Sequence, residues 1–108
     1  MEQELILEQS SQKLQAILEE LLGSDHVYYN PPASVHMEYD AIVFFRSIMR
    51  NTFANNFVYG QKYGYQVTTI TRDPDSPIIN KVSKLPMCSF DRHYVADNLH
   101  HNVFTLYF

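Results

Sequence analysis

Residues 102–108 combine the period of a β-strand with apolar side chains on both faces. Side chains alternate between the two faces of an extended segment. One face would carry Phe104, Leu106 and Phe108, and the other Val103, Thr105 and Tyr107. A strand that is apolar on both faces lies either inside a sheet covered on both sides or against another chain. The pattern therefore predicts a central strand or an interface.

Residues 41–47 repeat this double-faced pattern, which makes it a property of the predicted sheet rather than of one segment. Its faces are Ala41, Val43 and Phe45 on one side and Ile42, Phe44 and Arg46 on the other. Two more strands are predicted. The first covers residues 27–29 and ends at Asn30-Pro31-Pro32, because proline cannot donate to a central ladder. The second covers residues 63–71, where polar and larger side chains alternate.

Helical spacing of leucine and isoleucine predicts a first helix over residues 3–22, which ends at Gly23. Ser76 resembles an N-cap with Pro77 at the first helical position. These residues predict a second helix that runs to about Leu85 and is closed by Pro86.

The remaining pattern predicts a hairpin, with a strand over residues 88–95, a turn near residues 97–101 and the terminal strand. The element order is therefore α-β-β-β-α-β-β. Without crossover helices between most strands, this order indicates an α+β fold. We predict a mainly antiparallel sheet of four to five strands with two helices on one face, in a single domain spanning residues 1–108. Residues 48–62 lack a clean period and are predicted to form a long loop or protruding hairpin.

Composition and charge exclude several classes of function. The chain has 108 residues and a formal net charge of -4, and its Lys and Arg are scattered, so no basic surface for nucleic acid or an anionic membrane is predicted. No apolar run reaches the ~18 residues of a membrane span. The single cysteine, Cys88, and the acidic N-terminus indicate a protein made and folded in a cytoplasm.

Three groups of residues could carry chemistry, and each has a simpler explanation. His93, His100, His101 and Asp97 could form a metal site, but adjacent histidines on a strand point to opposite faces, which favours solvated histidines. Asp73-Pro74-Asp75 lacks the rest of a calcium loop and is typical of a turn before a helix.

Cys88 has no histidine partner nearby in the sequence and shares a predicted face with Phe90, Arg92 and Tyr94. An arginine on that face would either pair with a carboxylate or mark a bulge. We predict no catalytic residue, no cofactor site and no metal site.

The aromatic content is 14%, all Tyr and Phe, which exceeds what one sheet face and two helices need. Such side chains are enriched at the centres of protein interfaces, although a few long strands could also bury them in one core. The pattern favours the interface. The aromatic residues concerned are Tyr28, Tyr29, Phe44, Phe53, Phe57, Tyr59, Tyr65, Tyr94, Tyr107 and Phe108.

Three runs of sequence resemble small proteins encoded among the structural genes of long-tailed bacteriophages. They are residues 66–76 (QVTTITRDPDS), 84–92 (KLPMCSFDR) and 103–108 (VFTLYF). The element order also resembles the phage tail terminator (tail-completion, head-tail joining) family, whose members form hexameric rings that cap the tail tube at its head-proximal end. The likeness covers residues 27–108, and the N-terminal helix matches in kind only.

The resemblance implies a non-enzymatic structural protein of the virion with no catalytic residues. Its partners would be further copies of itself in a ring, the tail tube protein and the head-completion or connector protein. The residues expected at the subunit or tube interface are Phe44, Phe53, Phe57, Tyr59, Val103, Tyr107 and Phe108.

Other functions stay open at this point. They are another neck, tail or baseplate adaptor of the same virion, a small metal-dependent hydrolase that uses the histidines, and a regulator that binds a ligand or peptide on its aromatic surface.

Overall fold

The computed structural model describes residues 2–48 and 63–108, which form two helices and one five-stranded sheet. The predicted α+β class and the element order α-β-β-β-α-β-β are confirmed. In chain order the elements are α1 (Glu2–Leu22), β1 (Val27–Tyr29), β2 (Ala41–Ile48), β3 (Gly64–Thr71), α2 (Pro77–Ser83), β4 (Cys88–Ala96) and β5 (Leu99–Tyr107).

The strands lie in the order β1-β2-β3-β5-β4. The pairs β2–β3, β3–β5 and β5–β4 are antiparallel, whereas β1 pairs with β2 in parallel. A parallel pair needs a crossover between its strands, and residues 30–40 provide it. The predicted terminal strand β5 is therefore central, held between β3 and β4.

One face of the sheet, which we call the helix face, carries the core. The strand register places large side chains from β2, β3 and β5 in adjacent rows on this face. They are Ile42, Phe44, Tyr65, Val67, Phe104 and Leu106. Leu14 and Leu18 of α1 and Ile78 and Val82 of α2 belong to the same buried cluster, so both helices pack on this face. Each fully buried side chain of this size contributes about 1.5–3 kcal/mol.

α1 ends as its sequence predicts. Gly23 adopts a φ of 79°, a left-handed conformation that glycine reaches without a Cβ clash, and its N–H donates to the Glu19 carbonyl at 2.8 Å. The bond satisfies one of the carbonyls that the last turn of a helix leaves free.

α2 begins at Pro77 and Ser76 occupies its N-cap position, as predicted. The Ser76 side chain makes no capping hydrogen bond. The chain is turned instead by Asp73, whose carboxylate accepts the Asp75 N–H at 2.9 Å and whose carbonyl accepts the Ser76 N–H at 3.2 Å. These bonds confirm that the acidic pair forms a turn. The helix ends at Ser83, because Leu85 bonds back to Val82 in a tighter i to i−3 turn.

The β4–β5 turn is shorter than predicted. Asp97 and Asn98 have φ values of 53° and 63°, and Ala96 pairs with Leu99, so the connection is a two-residue turn of type I′. His100 and His101 therefore lie in β5 rather than in the turn.

Candidate assembly interface

The exposed large apolar side chains of the described residues lie at one edge of the sheet. They are Met87 (59% exposed), Phe90 (56%), Tyr94 (43%), Val95 (55%) and Tyr107 (38%). Met87 to Val95 belong to β4 or directly precede it, and Tyr107 lies on the neighbouring strand with its N–H bonded to the Met87 carbonyl. We call these five residues the β4 patch. Exposed apolar side chains that are concentrated along one strand edge mark a candidate site of interaction.

β4 is an edge strand of nine residues, and most of its side chains are exposed on both faces. In an antiparallel pair, alternate residues turn their N–H and C=O groups toward the neighbouring strand. Ala96 and Leu99 pair directly beside the turn, so the backbone N–H and C=O groups of Ala96 point toward β5. By alternation, those of Tyr94 and Arg92 point the same way. The backbone groups of His93 and Val95 then point outward, and on the other side of the bulge those of Cys88 and Phe90 do the same.

The opposite edge of the sheet is better protected. β1 has three residues, and the Val27 carbonyl accepts a hydrogen bond from the Gln15 side-chain amide of α1 at 3.1 Å. Residues 30–40 also lie against β1: the Glu38 N–H donates to the Tyr28 hydroxyl at 3.1 Å, and the Glu38 carboxylate lies 3.4 Å from His26 Nε2. Among the described strands, the long open edge is therefore that of β4.

A bulge in β4 explains the unusual position of Arg92. The register shifts between Phe90 and Arg92, which pair with Phe104 and Val103. Cys88 and Phe90 therefore lie on the helix face, whereas Arg92 and Tyr94 lie on the other face. Placing all four on one face was wrong, because the extra residue reverses the alternation of side chains. Arg92 Nη1 also donates to Asp91 Oδ2 at 3.0 Å, so the arginine both marks a bulge and pairs with a carboxylate.

Cys88 lies half-buried opposite Leu106, at the rim of the core. Burial raises the pKa of its thiol, because the thiolate would be poorly solvated there. A thiol in this environment is a poor nucleophile.

The face of the sheet opposite the helix face, which we call the second face, is less exposed to solvent than the double-faced apolar pattern suggests. No helix of the described residues packs on it, yet Ala41, Ile70 and Val103 are only 0%, 6% and 1% exposed. Tyr28 lies on this face and is bonded to the 30–40 crossover, so this segment covers the β1 side of it. Val43, Phe45 and Thr105 remain half-buried.

The structure places the predicted interface residues in different environments. Phe44 is fully buried on the helix face, with its ring centroid 4.8 Å from that of Tyr29, so its prediction as an interface residue is wrong. Val103 is nearly inaccessible in the single chain, so its prediction as an interface residue is also wrong. Period shows which side chains share a face, but it does not show which face the helices cover or how far the other face is accessible.

Tyr107 belongs to the β4 patch, and Phe108 is half-buried against the core with its backbone bonded to Tyr63 in both directions. Phe53, Phe57 and Tyr59 lie outside the described residues. Sequence reasoning missed Met87, Phe90 and Val95. The available signal was the mixture of aromatic and charged residues in 90–95, which is typical of an exposed edge strand.

The candidate metal residues are divided between the two faces. His93 Nε2 lies 3.3 Å from His100 Nδ1, and the nitrogens are much closer than the ring centroids at 5.5 Å, so the rings meet end to end. His101 lies on the opposite face and stacks on Tyr94 at 4.6 Å. In the described parts of the chain, no three His, Cys, Asp or Glu side chains are grouped to hold a metal ion.

An apolar groove of about 290 Å³ adjoins the β4 patch. It lies between α1, the segment before β4 and the end of β5. Its lining includes Leu14, Ile17, Leu85 and Pro86, together with Met87 and Tyr107 of the patch. The groove therefore adjoins the patch at Met87 and Tyr107, whereas Tyr94 and Val95 lie toward the other end of β4.

No protein-family model, no curated protein and no solved structure matches this chain. Within residues 2–48 and 63–108, no helix is long and apolar enough to cross a membrane.

Proposed function

We propose that this chain is a non-enzymatic structural protein of a phage virion, a subunit of a ring that ends the tail tube and joins the tail to the head. The observation that carries the proposal is the β4 patch, whose exposed aromatic and aliphatic side chains lie along the long open edge of the sheet. Aromatic side chains and methionine are enriched at the centres of protein interfaces. The resemblance of residues 27–108 to the tail terminator family supplies the kind of assembly and its hexameric number.

A closed ring needs a heterologous contact, in which one patch of a subunit meets a different patch on its neighbour. The β4 patch and its adjoining groove form one such surface. The half-buried Val43 and Phe45 of the second face, at the other side of the sheet, offer a complementary one. The tail tube protein and the head connector protein would then bind the two rims of the ring.

Assembly can be tested with variants that change only the patch. Phe90→Ser combined with Val95→Ser removes exposed apolar area from the patch. Circular dichroism checks the fold of this variant, because the Phe90 ring also contacts the buried ring of Phe104 at a centroid distance of 5.7 Å. We expect the wild-type protein to form rings, either at high concentration or on isolated tail tubes, and the double variant to form none. Electron microscopy and native mass measurement report the rings.

Glu20→Ser is the matched control, since Glu20 is exposed on α1, away from the patch. It should leave ring formation unchanged. Absence of rings from the wild-type protein, both alone and on tail tubes, would contradict the proposal. The neighbouring genes give an independent check: a terminator gene lies among genes for tail tube, head connector and tape measure.

Two other functions make different predictions. A neck or baseplate adaptor would bind at another part of the same virion, which labelling of assembled particles would reveal. A regulator that binds a peptide is favoured by the apolar groove between α1 and β5. In that case a bound apolar peptide would raise the melting temperature, and Ile17→Ser in the groove wall would abolish the shift. The hydrolase hypothesis is weakened, because His101 lies on the opposite face from His93 and His100.

A further inference from the structure

We propose that in the free protein the β4 edge is covered by β4 of a second copy, paired antiparallel about a two-fold axis between Asp91 and Arg92. The inference concerns the protein before assembly and does not depend on the ring. A long open edge invites uncontrolled strand pairing, whereas a two-fold pair of edges closes at two copies.

The bulge restricts how two β4 strands can pair. A two-fold axis that relates neighbouring antiparallel strands is perpendicular to the sheet, so residues directly opposite each other lie on the same face. The helix-face residues of β4 are Cys88 and Phe90 before the bulge and His93 and Val95 after it. Faces match when Phe90 lies opposite His93 of the second copy and Cys88 lies opposite Val95 of the second copy.

The same register satisfies the backbone. Cys88, Phe90, His93 and Val95 are the residues whose N–H and C=O groups point away from β5. In this pairing each outward residue meets another outward residue, so the two strands can exchange hydrogen bonds along their length. Ser89 and Tyr94 of the second copy then lie opposite each other on the second face.

Charge complementarity supports the same register. It places Asp91 opposite Arg92 of the second copy, and the two-fold axis repeats the contact. The Asp91 and Arg92 side chains already lie 3.0 Å apart within one chain, so the dimer would contain a cluster of two carboxylates and two guanidinium groups. A shift by two positions in either direction moves Asp91 opposite Phe90 or Tyr94 and removes the match. Opposite charges across strands stabilise the pair, and like charges destabilise it.

The resulting dimer has one continuous sheet with the helices of both copies on the same side. Phe90 and Val95, more than half exposed in the single chain, would lie beside the partner strand. Ring formation through the same patch would require this dimer to separate, so the dimer would be the unassembled state of the protein.

The register can be tested by disulfide formation. Val95→Cys places a thiol opposite Cys88 of the second copy, at a Cα separation of about 5.5 Å, which a disulfide can bridge. Mild oxidation should convert this variant to a covalent dimer on a non-reducing gel. The wild-type protein should not cross-link, because its two Cys88 residues lie at opposite ends of the paired strands. Tyr94→Cys is the matched control, since its thiol lies on the other face.

A charge exchange tests the contact by a second route. Arg92→Asp should weaken dimerisation by about tenfold or more in Kd, and Asp91→Arg combined with Arg92→Asp should restore it. Sedimentation velocity reports the mass, and circular dichroism checks that these exposed substitutions leave the fold intact.

A wild-type protein that stays monomeric at all concentrations would overturn the proposal, as would equal cross-linking of Val95→Cys and Tyr94→Cys. Strand pairing with a different protein instead of a second copy would also overturn it. The ring and the dimer are tested separately. A dimer that never forms rings contradicts only the proposed ring, and rings that form directly from a monomer contradict only the proposed dimer.

Discussion

The hydroxyl of Tyr65 lies 2.8 Å from the hydroxyl of Ser10, so the middle of β3 is bonded directly to α1. The same Tyr65 hydroxyl accepts a hydrogen bond from Arg46 Nη2 at 3.2 Å. The Arg46 guanidinium carbon lies 5.3 Å from the centroid of the Tyr65 ring and 5.7 Å from that of Tyr63. These contacts accommodate an arginine on the helix face, because two tyrosine rings and one hydroxyl replace part of the water that a half-buried cation loses.

Tyr65→Phe should therefore lower the free energy of unfolding by about 1.5–3 kcal/mol, since one hydroxyl serves both a charged donor and Ser10. Urea denaturation would measure the loss. Ser10→Ala is the matched control and removes only a neutral hydrogen bond, so it should cost about 1 kcal/mol. Equal losses in the two variants would show that the Arg46 contact contributes nothing.

Phe44→Ala should lower the free energy of unfolding by about 3–5 kcal/mol, because it empties a fully buried site in the core. Val95→Ala, at an exposed position of β4, should change it by about 0.5 kcal/mol or less. Chemical denaturation of the two variants separates a core residue from a surface residue. If Phe44→Ala kept wild-type stability and lost only assembly, the side chain would belong to an interface.

Asn98→Ala should lower the free energy of unfolding by about 1–2 kcal/mol, because Asn98 has a φ of 63°, where a Cβ is strained. Asparagine tolerates this conformation better than alanine does. Asn98→Gly should not lower the stability, since glycine removes the Cβ from a type I′ turn. Thermal unfolding of both variants tests the turn, and similar losses in both would exclude backbone strain as the cause.

Alkylation of Cys88 should depend on pH in a way that reflects its burial. Because burial raises the pKa of the thiol in the folded protein, less thiolate forms at a given pH, and iodoacetamide should react more slowly with the native chain than with the chain in urea. The native rate should keep rising at pH values where the unfolded rate has levelled off. Cys88→Ser should abolish labelling.

The same shift has a consequence for stability, and its sign follows from proton binding. The folded thiol keeps its proton to a higher pH than the unfolded thiol, so the contribution of Cys88 to stability is complete below the unfolded pKa. It is lost as the pH rises through the folded pKa. Cys88→Ser should make stability less sensitive to pH in this alkaline range, and an unchanged alkaline slope would contradict the assignment.

Local patterns in the sequence were enough to predict the elements and their order. Leucine spacing with Gly23 bounds α1, Pro77 begins α2, and period-two alternation marks the strands, because each of these signals acts within one or two turns of chain. The predicted limits were less accurate at α2 and at the β4–β5 turn. There, hydrogen bonds of Asp73 and the conformation of Asn98 determine where each element ends.

Most residues of the candidate interface were not predicted from the sequence. The double-faced apolar pattern of residues 102–108 was real, but it arises from a central position of β5 between β3 and β4 and not from an exposed edge. The exposed edge is β4, whose alternation is interrupted by a bulge that the sequence offered only as one of two explanations for Arg92. Phe44 and Phe90 are both phenylalanines in predicted strands, yet one is buried beneath the helices and the other is exposed.

The sequence by itself determined the α+β class, the helix and strand order and the absence of recognisable catalytic motifs, because propensity and period are local properties of the chain. Only the tertiary structure decided which edge is open, which face the helices cover and on which side Arg92 and Tyr94 lie. These features depend on strand order, on register and on one inserted residue, and they bring together groups that are distant in the chain. Strand pairing therefore replaced the terminal strand with the β4 edge as the candidate for assembly.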